Sequence, residues 1–306
     1  MSSETDRLLD RRRLKRRLTV WRVLAVLAVA VAGIAFYGRF DGVVKTGPYV
    51  ATVAIDGLIL RDDERSEAIR AVADDEDAVA LIVEIDSPGG GFVASEGLFQ
   101  DIRRVNDAGK PVVAIIGNTG ASGGYMAALG AERIYASAGS VTGSIGVIME
   151  TANIIGLLES IGIKPEVVKS GPLKAQPNPV EPFTPEAREN IQGVIDDLHQ
   201  AFVDILAQRR DLSKSEALDL ADGRIFTGRQ AHAAGLVDGI GGMEEARAWL
   251  DASREIDKGL RTRDVTPVDE VDRLRDIMGG ALGKALFSER LTLDGVLALW
   301  HPQLEF

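Results

Sequence analysis

The stretch "PVVAIIGNTGASGGYMAALGA", residues 111–131, starts as a run of small and β-branched apolar residues, turns on glycines, and continues in helix-forming side chains. An unbroken apolar run bounded by glycine reads as a strand buried on both faces, so 111–117 is a strand and "GGYMAALGA" a helix. The "GNTGASGG" between them (117–124) is then a strand-to-helix turn with Ser122 at or near the helix start. Two earlier runs have the same character, "YVATVAIDGLI" (49–59) and "AVALIVEID" (78–86). Helical spacings separate the three runs: Ala68, Ile69 and Val72 in one interval, Leu98, Ile102 and Val105 in the other. Strand, helix, strand, repeated, predicts an α/β fold with a parallel sheet and crossover helices. Functional groups in such folds collect at the carboxyl ends of the strands. Two glycine-rich loops sit there, "DSPGGG" (86–91) and the Ser122 turn.

Glycine beside the serine permits unusual backbone angles and lets a substrate backbone approach without meeting a Cβ. Amides at a helix start, together with those of Gly89 and Gly90 in the neighbouring loop, are placed to bind a developing oxyanion. Ser122 therefore reads as a nucleophile beside an oxyanion hole. The same residues would also serve a small serine packed between strand and helix, with the glycines allowing close helix–sheet contact.

A serine needs a base. "GASGG" satisfies G-x-S-x-G, which brings in a Ser-His-Asp hydrolase, but of the three histidines His199, His232 and His301 only the last two fit that chain order. His232 lies in "GRQAHAAGLVD", read as a short helix and turn, and His301 in the last six residues. Surface or capping roles suit both. A lysine serves instead where desolvation keeps its amine unprotonated near neutral pH. Between Ser122 and the helix beginning near residue 185 the candidates are Lys164, Lys169 and Lys174.

Composition sets the frame. With 306 residues and 45% apolar content the chain can bury one sizeable core. It has no cysteine, which excludes disulfides and thiolate chemistry, and its histidines form no metal-ligand spacing, so neither a metal site nor a cofactor is expected. The net charge is −11, and because residues 1–22 hold eight basic and three acidic groups the remainder stands at −16. Such a body is a poor partner for nucleic acid. Nine lysines against 26 arginines fit a high-salt source as well as an ordinary acidic protein.

"RLLDRRRLKRR" precedes "LTVWRVLAVLAVAVAGIAFYG" (18–38). About 20 mostly apolar residues at ~1.5 Å each span ~30 Å, the thickness of the hydrocarbon layer, and Arg22 lies near enough to one end to snorkel. The stretch reads as a transmembrane helix contacting membrane lipid. Its basic flank predicts a cytoplasmic N-terminus and an extracytoplasmic body. A cleaved signal peptide is the alternative, opposed by Phe36, Tyr37, Arg39 and Phe40 where cleavage requires small residues.

Five segments carry a resemblance: "EIDSPGGG", "ASGGYMAALGAERIYASAGSVTGSIGVIME", "GIKPEVVKSGPLKAQPNP", "FTPEARENIQGVIDDLHQAFVDILAQRR" and "ADGRIFTGRQAHAAGLVD". In this order and spacing the chain resembles, over about 50–245, the signal peptide peptidase A type of membrane-anchored serine peptidases, family S49, with a ClpP/crotonase-like fold of repeated ββα units. The resemblance implies Ser122 as nucleophile, Lys174 as general base, Ser144 in "TGSIGV" as a serine that hydrogen-bonds the lysine, and the amides of Gly89 and Gly123 as the oxyanion hole. It also implies hydrophobic peptide substrates, such as remnant signal peptides, and a ring- or dome-shaped homo-oligomer whose neighbouring protomers complete the active sites. Lys174 is flanked by Leu173, Ala175 and Pro177 with no other cation within four residues, which suits a desolvated amine. Pro172 departs from the family pattern and makes Lys169 the fallback base.

The expected organisation is a basic cytoplasmic segment (1–17), a transmembrane helix (18–38), a linker (39–47), a peptidase domain (48–248) and a helical C-terminal extension (249–306). Thr184, Pro185 and Glu186 form a good helix start, and Ile191, Val194, Ile195, Leu198, Phe202, Ile205 and Leu206 then share one face, which reads as a packing element. "DGRIFTGRQAHAAGLVD" reads as a shaped turn closing the domain, with structural roles for Asp222, Arg224 and Gly228. Two other function classes remain beside the Ser/Lys peptidase: a non-catalytic membrane scaffold of the same fold and a Ser/His esterase.

Overall fold

The computed structural model describes residues 47–267, together with residues 18, 21–23, 25 and 26. The chain divides into two units, Met1–Pro48 and Tyr49–Phe306. Most of the expected membrane span and most of the expected C-terminal extension lie outside the described residues, among which no helix is long and apolar enough to cross a membrane.

Three long strands form the centre of the second unit: β1 (Tyr49–Ile59), β2 (Ala78–Gly90) and β3 (Val112–Ala121). They pair in parallel in the order β3-β2-β1. Helix α1 (Asp63–Asp74) connects the first pair and α2 (Phe92–Asp107) the second. Alternation along the strands divides the core. Ala51, Val53 and Ile55 of β1, Leu81, Val83 and Ile85 of β2, and Val112, Ala114 and Ile116 of β3 face Ile69, Val72, Leu98, Ile102 and Val105 of the two crossover helices. Val50, Ala80, Ile82, Val113 and Ile115 face the other way. Both faces are thus covered, which is why these strands read as continuous apolar runs.

Short α3 (Gly123–Ala128) follows β3. Next come β4 (Arg133–Ala136) and β5 (Val141–Gly143), both parallel to β3 and pairing with its first and last parts respectively. Residues 147–182 leave the sheet as an arm whose one regular element is α4 (Ile155–Ser160). The chain returns through α5 (Pro185–Arg210), α6 (Lys214–Leu220), β6 (Ile225–Thr227) and α7 (Gly228–Ala233). The side chain of Thr184 caps α5 by accepting from the Ala187 N–H, with Pro185 in the first turn, as the sequence predicts. β6 is antiparallel to β5.

The domain does not end at 248. Helix α8 (Met243–Arg254) runs across that boundary and buries Ala246 and Leu250 against the second face of the sheet. Strand β8 (Thr262–Asp264) then adds in parallel to the free edge of β1, and the Ala54 N–H donates to Thr266 Oγ1 at 2.9 Å. β7 (Gly239–Ile240) pairs with β4. The boundary therefore moves to about 266, because a sheet face and a sheet edge remain open without 249–266. Residues 249–254 are helical, as expected of the extension, but 262–264 are strand.

Candidate active site

Strands β2 and β3 run further than their apolar stretches, through the glycine loops, and this extension assembles the site. Ser87 pairs with Gly120 across β2 and β3, and Ala121 pairs with Gly143 across β3 and β5. The next residues along that second pair are Ser122 and Ser144. Ser122 donates its backbone N–H to the Gly143 carbonyl at 2.8 Å, and Ser144 donates its own to the Arg224 carbonyl at 2.8 Å. Ser122 occupies the N-cap position of α3 with φ +51° and ψ −119°, a conformation that costs a non-glycine residue on the order of 1–3 kcal/mol.

Strained backbone occurs at two of the sequence candidates and beside a third. Among the described residues five non-glycines have positive φ. Asp211 and Glu255 are the left-handed caps that end α5 and α8. The other three are Ser122, Ser144 and Ala175, the residue next to Lys174. Strain of this kind persists only where the surroundings enforce it.

Two glycines hold the 86–91 loop against Ser122. Gly89 has φ +105°, and a Cβ there would lie 2.9 Å from Ser122 Cβ and 2.8 Å from the Gly123 nitrogen. A Cβ on Gly123 would fall 2.0 Å from Ser95 Oγ and 3.3 Å from the Gly90 nitrogen. The Gly89 N–H donates to Ser87 Oγ at 3.1 Å, so this expected oxyanion donor already has a partner. Gly90 and Gly123 line the cleft itself.

Side chains that the sequence reading left unassigned clamp the loop. Fully buried Ser87 donates its hydroxyl to the Gly57 carbonyl at 2.6 Å, tying the loop to an irregularity in β1. Asp86 reaches the other way, accepting from Asn118 Nδ2 at 2.6 Å and from the Thr119 N–H at 3.0 Å. Buried Ser95 donates to the Gly91 carbonyl at 3.0 Å. The motif showed a loop; it did not show which hydroxyls turn inward.

The cleft in front of Ser122 has a volume of about 270 Å³. Its walls include Phe92, Met126, Ile148, Val194, Leu198 and Phe202, and no charged side chain lines it. This revises the reading of α5. Phe202 and Leu206 are buried in the core, but Val194, Ile195 and Leu198 stay partly or largely exposed and form a wall of the cleft. Apolar spacing identifies the face of a helix, not what that face meets.

The structure brings Ser122, Ser144, Gly89 and Gly123 together, and Lys174 is not among the residues that line the cleft. Lys174 lies on the arm with its side chain exposed, and its backbone N–H donates to the Gly171 carbonyl at 3.2 Å. Lys169, the fallback, is held by Glu181 with 2.8 Å between Nζ and Oε1, which occupies the amine. The histidines stand elsewhere: His199 Nε2 is 2.8 Å from the Ala221 carbonyl, His232 is exposed on α7, and His301 lies outside the described residues.

Asp222 and Arg224 have the structural role expected of them. Asp222 accepts from the Arg224 guanidinium and backbone N–H, and these bonds hold its carboxyl at about 2. The turn so fixed presents the Arg224 carbonyl to Ser144. Gly228 likewise packs where a Cβ would strike the Ser137 carbonyl. Tyr125 of α3 is fully buried and donates to the Leu236 carbonyl at 2.7 Å, and burial pushes its phenol well above the ordinary range. No group of three or more potential metal ligands occurs among the described residues.

Comparison with known proteins adds the following. The family model described as peptidase family S49 matches residues 104–257, a span that contains Ser122, Ser144 and Lys174. An inferred protease of Synechocystis sp. is 37% identical over 238 residues, 77% of this chain and 85% of that protein. An inferred signal peptide peptidase SppA of Enterococcus faecium is 35% identical over 188 residues, 61% of this chain and 55% of that protein. The chloroplastic serine protease SPPA of Arabidopsis thaliana is 31% identical over 242 residues, 79% of this chain, which spans 36% of the length of that relative.

Proposed function

The chain belongs to peptidase family S49, of the signal peptide peptidase A type, and from that premise we propose that it is a membrane-anchored endopeptidase with a Ser122/Lys174 dyad that degrades hydrophobic peptides such as remnant signal peptides. The observation that carries the reading is the setting of Ser122. It is a strained serine at a helix start, under two close glycine backbones, facing an apolar and uncharged cleft.

In the proposed reaction Ser122 Oγ attacks the scissile carbonyl while the neutral Lys174 amine takes its proton. The charge developing on the carbonyl oxygen is met by the Gly123 N–H and by the oxyanion loop. Lys174 returns the proton to the leaving amine, and water then hydrolyses the acyl-enzyme by the same route in reverse. Ser144, one residue beyond the Ser122 partner on β5, orients the lysine. The cleft accepts one apolar side chain of the peptide.

Two further parts of the proposal concern what surrounds the chain. Exposed apolar residues along the arm, among them Leu157, Ile161, Val168 and Leu173, support a ring- or dome-shaped homo-oligomer in which a neighbouring copy covers the arm and desolvates Lys174. The apolar stretch 18–38 with its basic flank supports a single membrane anchor, with the peptidase domain extracytoplasmic.

The test is a set of pH–rate profiles on one apolar peptide. Ser122→Ala abolishes turnover, leaving less than about 1% of activity. Lys174→Arg keeps the charge but cannot deprotonate, and is equally inactive. Full activity in Lys174→Arg would defeat the dyad even with Ser122 essential. Loss of activity in His232→Ala or His301→Ala would point to the esterase, and absence of serine-dependent turnover at every pH to the scaffold.

A further inference from the structure

No residue of the arm is fully buried, yet the loop that carries Lys174 has a defined shape, and one carboxylate lies at its centre. Glu181 accepts from Lys169 Nζ at 3.0 Å, from Gln176 Nε2 at 3.3 Å and from Asn178 Nδ2. These donors come from both sides of Lys174 in the chain. Asn178 Nδ2 also donates to the Ala175 carbonyl at 2.9 Å, and Ala175 is the residue with φ +61° directly after Lys174. A continuous path of hydrogen bonds therefore runs from the Glu181 carboxylate through Asn178 to the Ala175 carbonyl, at the positive-φ residue that directly follows Lys174. The Val180 N–H on Asn178 Oδ1 at 3.1 Å fixes that amide from its other end.

We propose that Glu181 is the positioning residue of the general base: its carboxylate gathers Lys169, Gln176 and Asn178 and, through Asn178, holds the strained turn that aims Lys174. An exposed ion pair alone contributes ~0–1 kcal/mol and would not order a loop. This one differs in having three donors on one carboxylate, with side chains only 18% exposed for Glu181 and 20% for Lys169. The bonds from Lys169 and Asn178 also hold the Glu181 carboxyl below its ordinary value, so it stays ionised wherever a neutral lysine could act. Glu181 touches neither substrate nor reacting atoms; it acts through the geometry of Lys174, where a displacement of about 1 Å can cost about 100-fold in rate. The inference rests on reading Lys174 as the base.

The experiment measures kcat and KM of the full chain in detergent on one apolar peptide for Glu181→Ala, Glu181→Gln, Asn178→Ala and Lys174→Arg, with thermal unfolding of each. A positioning role lowers kcat about 10- to 100-fold in Glu181→Ala with KM within about twofold and an unchanged melting temperature, since no residue of the arm is part of the core. Glu181→Gln recovers part of the loss because its amide oxygen still accepts from Asn178. The double variant Glu181→Ala/Asn178→Ala is no slower than the slower single one, as expected of two residues on one path. Wild-type kcat in Glu181→Ala beside an inactive Lys174→Arg overturns the positioning role and leaves the dyad standing. A raised KM with unchanged kcat, or additive losses in the double variant, overturns it as well. Full activity in Lys174→Arg overturns the dyad and this inference together.

Discussion

Residues 85–146 and the arm 147–182 supply the two halves of the candidate dyad under opposite physical regimes. Around Ser122 every buried hydroxyl is bonded inward: Ser87 to Gly57, Ser95 to Gly91, Ser140 to Ile116 and Thr142 to Gly120. Along the arm no residue from 147 to 186 is buried, and apolar side chains stand in solvent. A strained backbone near Ser122 is enforced by the fold of one chain. The corresponding strain at Ala175 is enforced by local hydrogen bonds alone. On the proposed dyad, the nucleophile's setting is completed within the chain, while the base stands on an arm shaped by local bonds.

The contrast is most sharply tested at Gly123. A methyl there meets Ser95 Oγ at 2.0 Å with the sheet behind it, so Gly123→Ala costs about 3 kcal/mol or more and removes activity. Denaturant unfolding measures the cost, and Gly123→Ala/Ser95→Gly regains part of it. A singly substituted protein of wild-type stability would break the picture of a self-enforced site. Smaller, and directed at the clamp, is Ser87→Ala, which leaves the Gly57 carbonyl and the Gly89 N–H without their buried partner. Its expected cost is about 1–3 kcal/mol with an unchanged m-value. An effect below 0.5 kcal/mol would mean that the 86–91 loop holds its shape unaided.

At the other extreme, Val168 is fully exposed, so Val168→Asp changes unfolding by less than about 0.5 kcal/mol and instead shifts the sedimentation of the assembly toward smaller species. A destabilisation as large as that of Ser87→Ala would show that the arm is packed within one chain and erase the distinction between the regions.

The two regions also differ in how far the sequence discloses them. The ends of β1 were legible because periodicity, glycine and acidic boundaries agree at 49 and 59. β2 and β3 run beyond their apolar stretches because strand pairing, which no local pattern records, draws Ser87 and Gly120 into register. The same non-local cause hid the domain end, since β8 is defined by the open edge of β1 more than by "TRD" itself. Ser122 and the two glycine loops were readable from the turn chemistry. The inward hydroxyls of Ser87 and Ser95 were not, because a serine carries no sign of its burial. Lys174 was reachable only through resemblance: spacing gave three lysines, and the exposure of the arm shows why composition alone does not choose among them.

The torsion at Ser122 has one more consequence, in evolutionary terms. It is imposed by the Gly143 carbonyl, by the approach of Gly89 and by the helix that follows, none of which depends on the serine hydroxyl. If Ser122 is the proposed nucleophile, a lineage that loses that hydroxyl loses its chemistry in one substitution while inheriting the groove, the core and the arm intact. Selection on shape and selection on turnover are then separable, and a duplicate gene freed from the second has a short route to a protein with the same cleft and no turnover.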